Sequence, residues 1–88
     1  MFEGQTILIT GAASGLGRAW AKGFGADGAQ VVAADINGEG LAEVPAAMHL
    51  TVDVSKSAEV KQMVLDTVEK TGRIDALFNN AGQHMCFS

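Results

Sequence analysis

Five residues of apolar and β-branched character, Thr6-Ile7-Leu8-Ile9-Thr10, run directly into Gly11-Ala12-Ala13-Ser14-Gly15-Leu16-Gly17, and this junction restricts the fold more than any other stretch. The run before the glycines has the composition of a strand. After it, apolar side chains fall at positions 16, 19, 20 and 24, the spacing of one helix face. The glycines therefore stand where a strand hands over to a helix N-terminus, and each has a separate physical use. Gly11 permits the sharp turn off the strand, Gly15 lacks a Cβ and lets an anion approach the backbone, and Gly17 lets the helix pack close to the sheet. The first N–H groups of a helix have no helical acceptor and carry the positive end of its dipole, so the junction can receive a pyrophosphate without a lysine.

The rest of the chain alternates in the same way. Strands are predicted near 5–10, 30–35, 48–52 and 74–79, and helices near 15–26, 38–43 and 56–71. Gly28 suits the end of the first helix, although Gly23 and Gly25 inside it each cost about 1 kcal/mol relative to Ala. The second helix is marginal, because Asn37, Gly38 and Gly40 favour a turn and Pro45 cuts it off. The third has a stripe of Val60, Met63, Val64 and Val68, with Ser55 or Ser57 to cap its start and Gly72 to end it. Right-handed crossovers place strand 1 inside, strands 2 and 3 stepping outward on one side, and strand 4 on the other. The expected class is α/β, a partial Rossmann-type doubly wound parallel sheet of order 3-2-1-4 in an incomplete three-layer α/β/α arrangement. Ligands bind such sheets beyond the carboxyl ends of the strands, at the switch point, here between strands 1 and 4. Gly11, Asp35, Asp53 and Asn80 all follow carboxyl ends.

Composition narrows the functional classes. A chain of 88 residues makes one small domain, burying only ~60–65% of its unfolded surface. A net charge of −4 with six scattered Lys and Arg argues against a nucleic-acid surface. Cys86 has no partner for an internal disulfide, and His49 and His84 alone make no metal set. Met1-Phe2-Glu3-Gly4 lacks a basic leader, and no apolar run nears the ~20 residues of a membrane helix, so a cytoplasmic protein is expected without membrane attachment. Trp20, Phe24 and the methionines read as core or filler; Arg18 reads as a solvated helix-surface residue within reach of a phosphate. His84, Cys86 and Ser88 carry no assigned role.

The spacing Thr10-Gly11, three residues, Gly15, one residue, Gly17 resembles the coenzyme loop of the short-chain dehydrogenases/reductases rather than the commoner G-x-G-x-x-G. Three later stretches resemble that family's pattern in the same order: Asp35 closing Val31-Val32-Ala33-Ala34, Asp53-Val54 after the third strand, and Asn79-Asn80-Ala81-Gly82 after the fourth. The resemblance covers residues 5–82 and implies an NAD-binding half-domain over 1–82 with an unassigned tail at 83–88. It implies cofactor contacts from Gly11, Ser14, Gly15, Leu16, Gly17, Asp35, Ile36, Asp53, Val54, Asn80, Ala81 and Gly82. Asp35, eighteen residues after Gly17, is placed to accept hydrogen bonds from both adenosine ribose hydroxyls and to repel a 2′-phosphate. Ser14 and Ile36, at positions resembling the family's cofactor-selecting ones, are not basic, so NAD is expected over NADP. The plain alternative for Asp35 is a turn starter before Asn37-Gly38. Asp53 resembles the residue that bonds the adenine amino group, or else helps start the third helix. Asn80 would neighbour the cofactor while Asn79 ties backbone groups together.

In that family an alcohol and a carbonyl are interconverted by a Tyr-x-x-x-Lys pair with a Ser and an Asn. This chain contains no tyrosine. No catalytic residue is therefore assigned, and a small-molecule alcohol or ketone is expected to bind only a longer form. The expectation is a truncated or alternatively ended dehydrogenase, inactive alone and prone to self-association along strand 4, which ends in Leu77-Phe78. Two other classes stay open: a non-catalytic module that binds NAD or adenine nucleotide or pairs with a partner, and an S-adenosylmethionine-dependent methyltransferase. The glycine spacing and the doubled Asn disfavour the second.

Overall fold

The computed structural model describes residues 3–80. Seven elements follow in order: β1 (Thr6–Thr10), α1 (Gly15–Ala26), β2 (Gln30–Asp35), α2 (Gly38–Leu41), β3 (Met48–Thr51), α3 (Ser57–Thr71) and β4 (Ala76–Asn79). All strand pairs are parallel and the sheet order is β3-β2-β1-β4, as the crossover rule predicts. Thr10 pairs with Ala34 on one side and Asn79 on the other, so the carboxyl ends of β2, β1 and β4 finish along one edge.

β1 is buried along its whole length because its alternate side chains serve two cores. Ile7 and Ile9 pack with Ala21, Val31, Ala33, Leu41 and Val44 on the α1/α2 face. Leu8 packs with Val32, Ala34, Val52, Val60 and Met63 under α3. Each such buried aliphatic side chain contributes about 1.5–3 kcal/mol, which is why the strand reads as an unbroken apolar run. Trp20 and Phe24 are half-buried and pack on Phe78, with ring centroids 5.2 and 5.0 Å away. Those contacts fasten α1 to β4 and offset the weak helix propensity of its glycines.

Four local expectations are corrected. α2 is shorter than expected, because Asn37 caps it through Gly40 N–H and the chain beyond Leu41 tightens into i,i+3 bonds before Pro45. β4 begins at Ala76 rather than 74: Asp75 turns its carboxylate onto the Thr6 N–H (2.7 Å) and donates its own N–H to Thr6 O (2.9 Å), clipping the approach to the strand. Neither Ser55 nor Ser57 caps α3; Lys56 occupies that position with no side-chain bond, and Glu59 reaches back to Asp53 N–H (2.9 Å) instead. The buried stripe of α3 is Val60, Met63 and Thr67, while Val68 is 42% exposed. Thr67 is buried without penalty because its hydroxyl donates to Met63 O (2.8 Å). Gly72 ends α3 at φ 83°, as expected. Among the described residues no helix is long and apolar enough to cross a membrane.

Candidate functional site

The Gly11–Gly17 loop is held from both flanks. Gly11 takes φ 66°, a backbone that side-chain-bearing residues rarely adopt, and turns the chain off β1. Its carbonyl accepts from Ser14 N–H (3.1 Å), the Ser14 hydroxyl (2.7 Å) and the Asn80 side-chain amide (3.3 Å). The same Asn80 amide donates to Ser14 Oγ (2.7 Å), and Asn80 N–H donates to both O (3.3 Å) and Oγ1 (3.1 Å) of Thr10. Thr10 in turn donates its hydroxyl to Asn79 Oδ1 (2.7 Å). On the opposite flank Ala12 N–H bonds Ala34 O (3.1 Å) and Ala13 N–H bonds Asp35 Oδ2 (2.9 Å).

Two glycines in α1 then show different kinds of necessity. A Cβ on buried Gly17 would collide with Gly11 O and lie 2.9 Å from Ala12 Cα, all backbone. Gly17 therefore lets the helix close onto its own loop, where sequence reasoning placed the contact with the sheet. A Cβ on Gly15 would meet no atom within 4 Å, so the backbone there is open to an approaching group. The first backbone bond from the helix runs from Arg18 N–H to Ser14 O (2.8 Å), leaving the N–H groups of Gly15, Leu16 and Gly17 ahead of it without a helical acceptor. Ser14 stands at the cap position but spends its hydroxyl on Gly11 O, and the first turn of α1 contains no acid. By contrast α2 carries Glu39 and α3 carries Glu59 in the first turn. Of the three helices among the described residues, α1 is the one whose first turn carries no acidic side chain at its positive end.

The rim of this region carries the remaining candidates. Leu16 (54%), inside the loop, and Ile36 (66%), directly after Asp35, are exposed apolar side chains. Asp35 also accepts Asn37 N–H through Oδ1 (2.9 Å), so the turn role and the edge position coexist in one residue. Asp53 accepts from the Ser55 hydroxyl (2.6 Å) and N–H (3.0 Å) through Oδ1. Those two bonds, the hydroxyl foremost, hold its carboxyl below the usual range, with Lys56 adding a smaller pull. Asp53 thus shapes the turn into α3, and Val54 beside it is half-buried in the α3 core. Arg18 leans toward α2, its guanidinium 3.5 Å from Gly40 O. Ala81 and Gly82, with His84, Cys86 and Ser88, lie outside the described residues. Sequence reasoning gave Thr10 no role beyond opening the motif, yet its hydroxyl joins Asn79 to Asn80. A threonine immediately before the turning glycine was the available signal.

The geometry agrees with what the chain is similar to. The family model described as short chain dehydrogenase matches residues 5–87. The meso-2,3-butanediol dehydrogenase of Serratia marcescens is 43% identical over 93 residues, covering 99% of this chain and 37% of that protein. A solved 3-ketoacyl-(acyl-carrier-protein) reductase from Brucella melitensis complexed with NADH superposes with TM-score 0.81 at 40% identity, over 85% of this chain and 33% of that one. A solved NAD+-bound xylitol dehydrogenase gives TM-score 0.87 at 31% identity, over 98% of this chain and 36% of that one. The chain spans about a third of the length of the relatives it matches. Matched over nearly all its residues by the family model, this chain belongs to the short-chain dehydrogenase family.

Proposed function

We propose that the carboxyl edge of this sheet holds a nicotinamide dinucleotide, NAD in preference to NADP, and that it serves an oxidoreductase interconverting an alcohol and a carbonyl compound. The carrying observation is the uncapped, acid-free N-terminus of α1 above the open face of Gly15, with Asp35 at the adjoining strand end. Bound there, the dinucleotide would supply a ring that accepts or gives hydride. Gly15, Leu16 and Gly17 would offer backbone N–H groups to its pyrophosphate. Asp35 would accept from the adenosine ribose, Leu16 and Ile36 would cover apolar parts of the cofactor, and Asn80 would keep the loop closed from the β4 side. Relatives solved with NADH and NAD+ support this reading.

The preference for NAD rests on charge. Asp35 is a carboxylate, and neither Ser14 nor Ile36 is a cation, so a ribose 2′-phosphate would meet like charge with no counter-charge from those two positions. A non-catalytic nucleotide module is the second reading. Calorimetric titration of the chain with NAD, NADP and S-adenosylmethionine separates the possibilities. NAD should bind about tenfold or more tighter than NADP, a difference of ~1.4 kcal/mol. Tighter NADP binding would overturn the Asp35 argument, and a folded sample that saturates with neither would overturn the cofactor reading. Oxidoreductase activity restricted to a longer protein carrying these residues would distinguish the first reading from the second.

A further inference from the structure

Asp35 joins two backbone segments that the sheet does not join. Ala12 and Ser14 donate their N–H groups to main-chain carbonyls, of Ala34 and Gly11 (both 3.1 Å). Ala13, between them at the middle of the loop, donates instead to Asp35 Oδ2 (2.9 Å), across a separation of 22 residues. The other oxygen of the same carboxylate accepts Asn37 N–H (2.9 Å) at the entry to α2. The loop and this turn are already in close contact, since a Cβ on Gly40 would lie 3.2 Å from Ala13 Cβ and 2.7 Å from Asn37 Nδ2. An ionised carboxylate has about four acceptor sites, and these two bonds use one on each oxygen. The remaining two take no hydrogen bond from another described residue and can meet a pair of ribose hydroxyls without releasing the loop.

We infer that Asp35 is a positioning residue for the phosphate-binding loop as well as a ribose acceptor. Changing cofactor selectivity at this residue therefore also loosens the pyrophosphate cradle. The ribose half of this statement rests on the dinucleotide reading proposed above; the loop half does not. A neutral amide cannot replace the carboxylate, because Asp35→Asn keeps one acceptor oxygen and turns an NH2 group toward one of the two N–H donors.

The test titrates wild type and Asp35→Asn with ADP and with 2′,3′-dideoxy-ADP, which keeps adenine and diphosphate but lacks both hydroxyls. A residue that only binds ribose leaves the dideoxy nucleotide unaffected by the substitution. Loss of loop positioning should weaken it by about tenfold. Charge alone would act in the opposite direction, since removing a carboxylate near a diphosphate strengthens binding. Unchanged or tighter binding of the dideoxy nucleotide to Asp35→Asn overturns the inference. Amide hydrogen exchange without nucleotide gives an independent reading: Ala13 should be protected in wild type and exchange at least about tenfold faster in the variant. An unprotected Ala13 amide in wild type overturns the inference whether or not the variant folds. If wild type binds neither nucleotide while the Ala13 amide behaves as expected, the dinucleotide reading fails and the loop role of Asp35 stands.

Discussion

Three glycines of α1, each replaced by alanine, should give three different outcomes, and the differences follow from what a single methyl group would touch. At Gly23, in the exposed interior of the helix, an added Cβ meets no atom within 4 Å. The substitution should stabilise by about 0.5–1 kcal/mol through helix propensity and the lower entropy of the unfolded chain. For a domain this small that raises Tm by roughly 4 °C, with nucleotide affinity unchanged. At Gly17 the same propensity gain of about 1 kcal/mol is opposed by a collision. The new Cβ would strike Gly11 O and stand 2.9 Å from Ala12 Cα, and because these are backbone atoms no rotamer change relieves it. Restoring ordinary contact means moving α1 off its loop, which strips Ala21 from Ile7 and Ile9 as well. With overpacking at about 3 kcal/mol, the net loss is about 2 kcal/mol and Tm falls by roughly 10 °C, accompanied by loss of nucleotide binding. At Gly15 the Cβ points into open space, so stability should hold while nucleotide affinity drops at least about tenfold, the methyl occupying the approach to the backbone N–H groups. Thermal denaturation paired with ADP titration reads both quantities on each variant. A Gly17→Ala protein as stable as wild type, or a Gly15→Ala protein with undiminished affinity, would refute the steric account of this loop.

Two further outcomes are expected. Asp75 has its carboxyl held below the usual range chiefly by the Thr6 N–H it accepts, with Arg73 adding to the effect. A depressed folded value means the contribution is complete above the unfolded value of about 3.9 and is lost as pH falls through the folded one, so the urea midpoint should drop on acidification below about pH 4. Asp75→Asn should make that acid limb shallower. Asn80→Asp should weaken nucleotide binding more than Asn80→Ala: alanine removes two donated hydrogen bonds, whereas aspartate sets a carboxylate against the Gly11 carbonyl. Equal losses in the two variants, measured by titration, would show that the Asn80 amide does not hold the loop.

Element order, sheet order and the strand-to-helix turn of the candidate site were legible in the sequence because each depends on short-range signals: apolar runs, glycine spacing and the handedness of crossovers. What escaped was set by contacts between distant segments. In α3, Thr67 is buried with its hydroxyl on Met63 O, an option closed to a valine, while Val68 is exposed, so hydrophobicity alone ranked the wrong residue as buried. The start of β4 turned on Asp75 meeting Thr6 across 69 residues. Gly17 was recognised as necessary, but its obstacle proved to be the loop backbone rather than the sheet. Asp35 and Asp53 were each given two competing readings, local turn former or ligand residue. For Asp35 the structure shows the turn reading and adds a bond to the loop: one carboxylate closes β2, accepts Asn37 N–H at the next turn and accepts Ala13 N–H from the glycine loop.

That economy bears on why the loop can be so rich in glycine. Three glycines within seven residues carry a large entropic cost of ordering, about 1–2 kcal/mol per residue for the backbone alone, and the loop contributes little apolar burial to oppose it. The opposing interactions come from outside, from Asn80 on the β4 side and Asp35 on the β2 side. Both tethers bind loop atoms at Gly11, Ala13 and Ser14, and neither uses the N–H groups of Gly15, Leu16 and Gly17. The chain thus uses these polar side chains to order the first half of the loop, and among the described residues no side chain bonds the N–H groups of the second half, at the positive end of α1. A row of oriented N–H groups on an ordered backbone costs the fold little where water covers it, and an anion placed there would meet donors that need no further reorganisation.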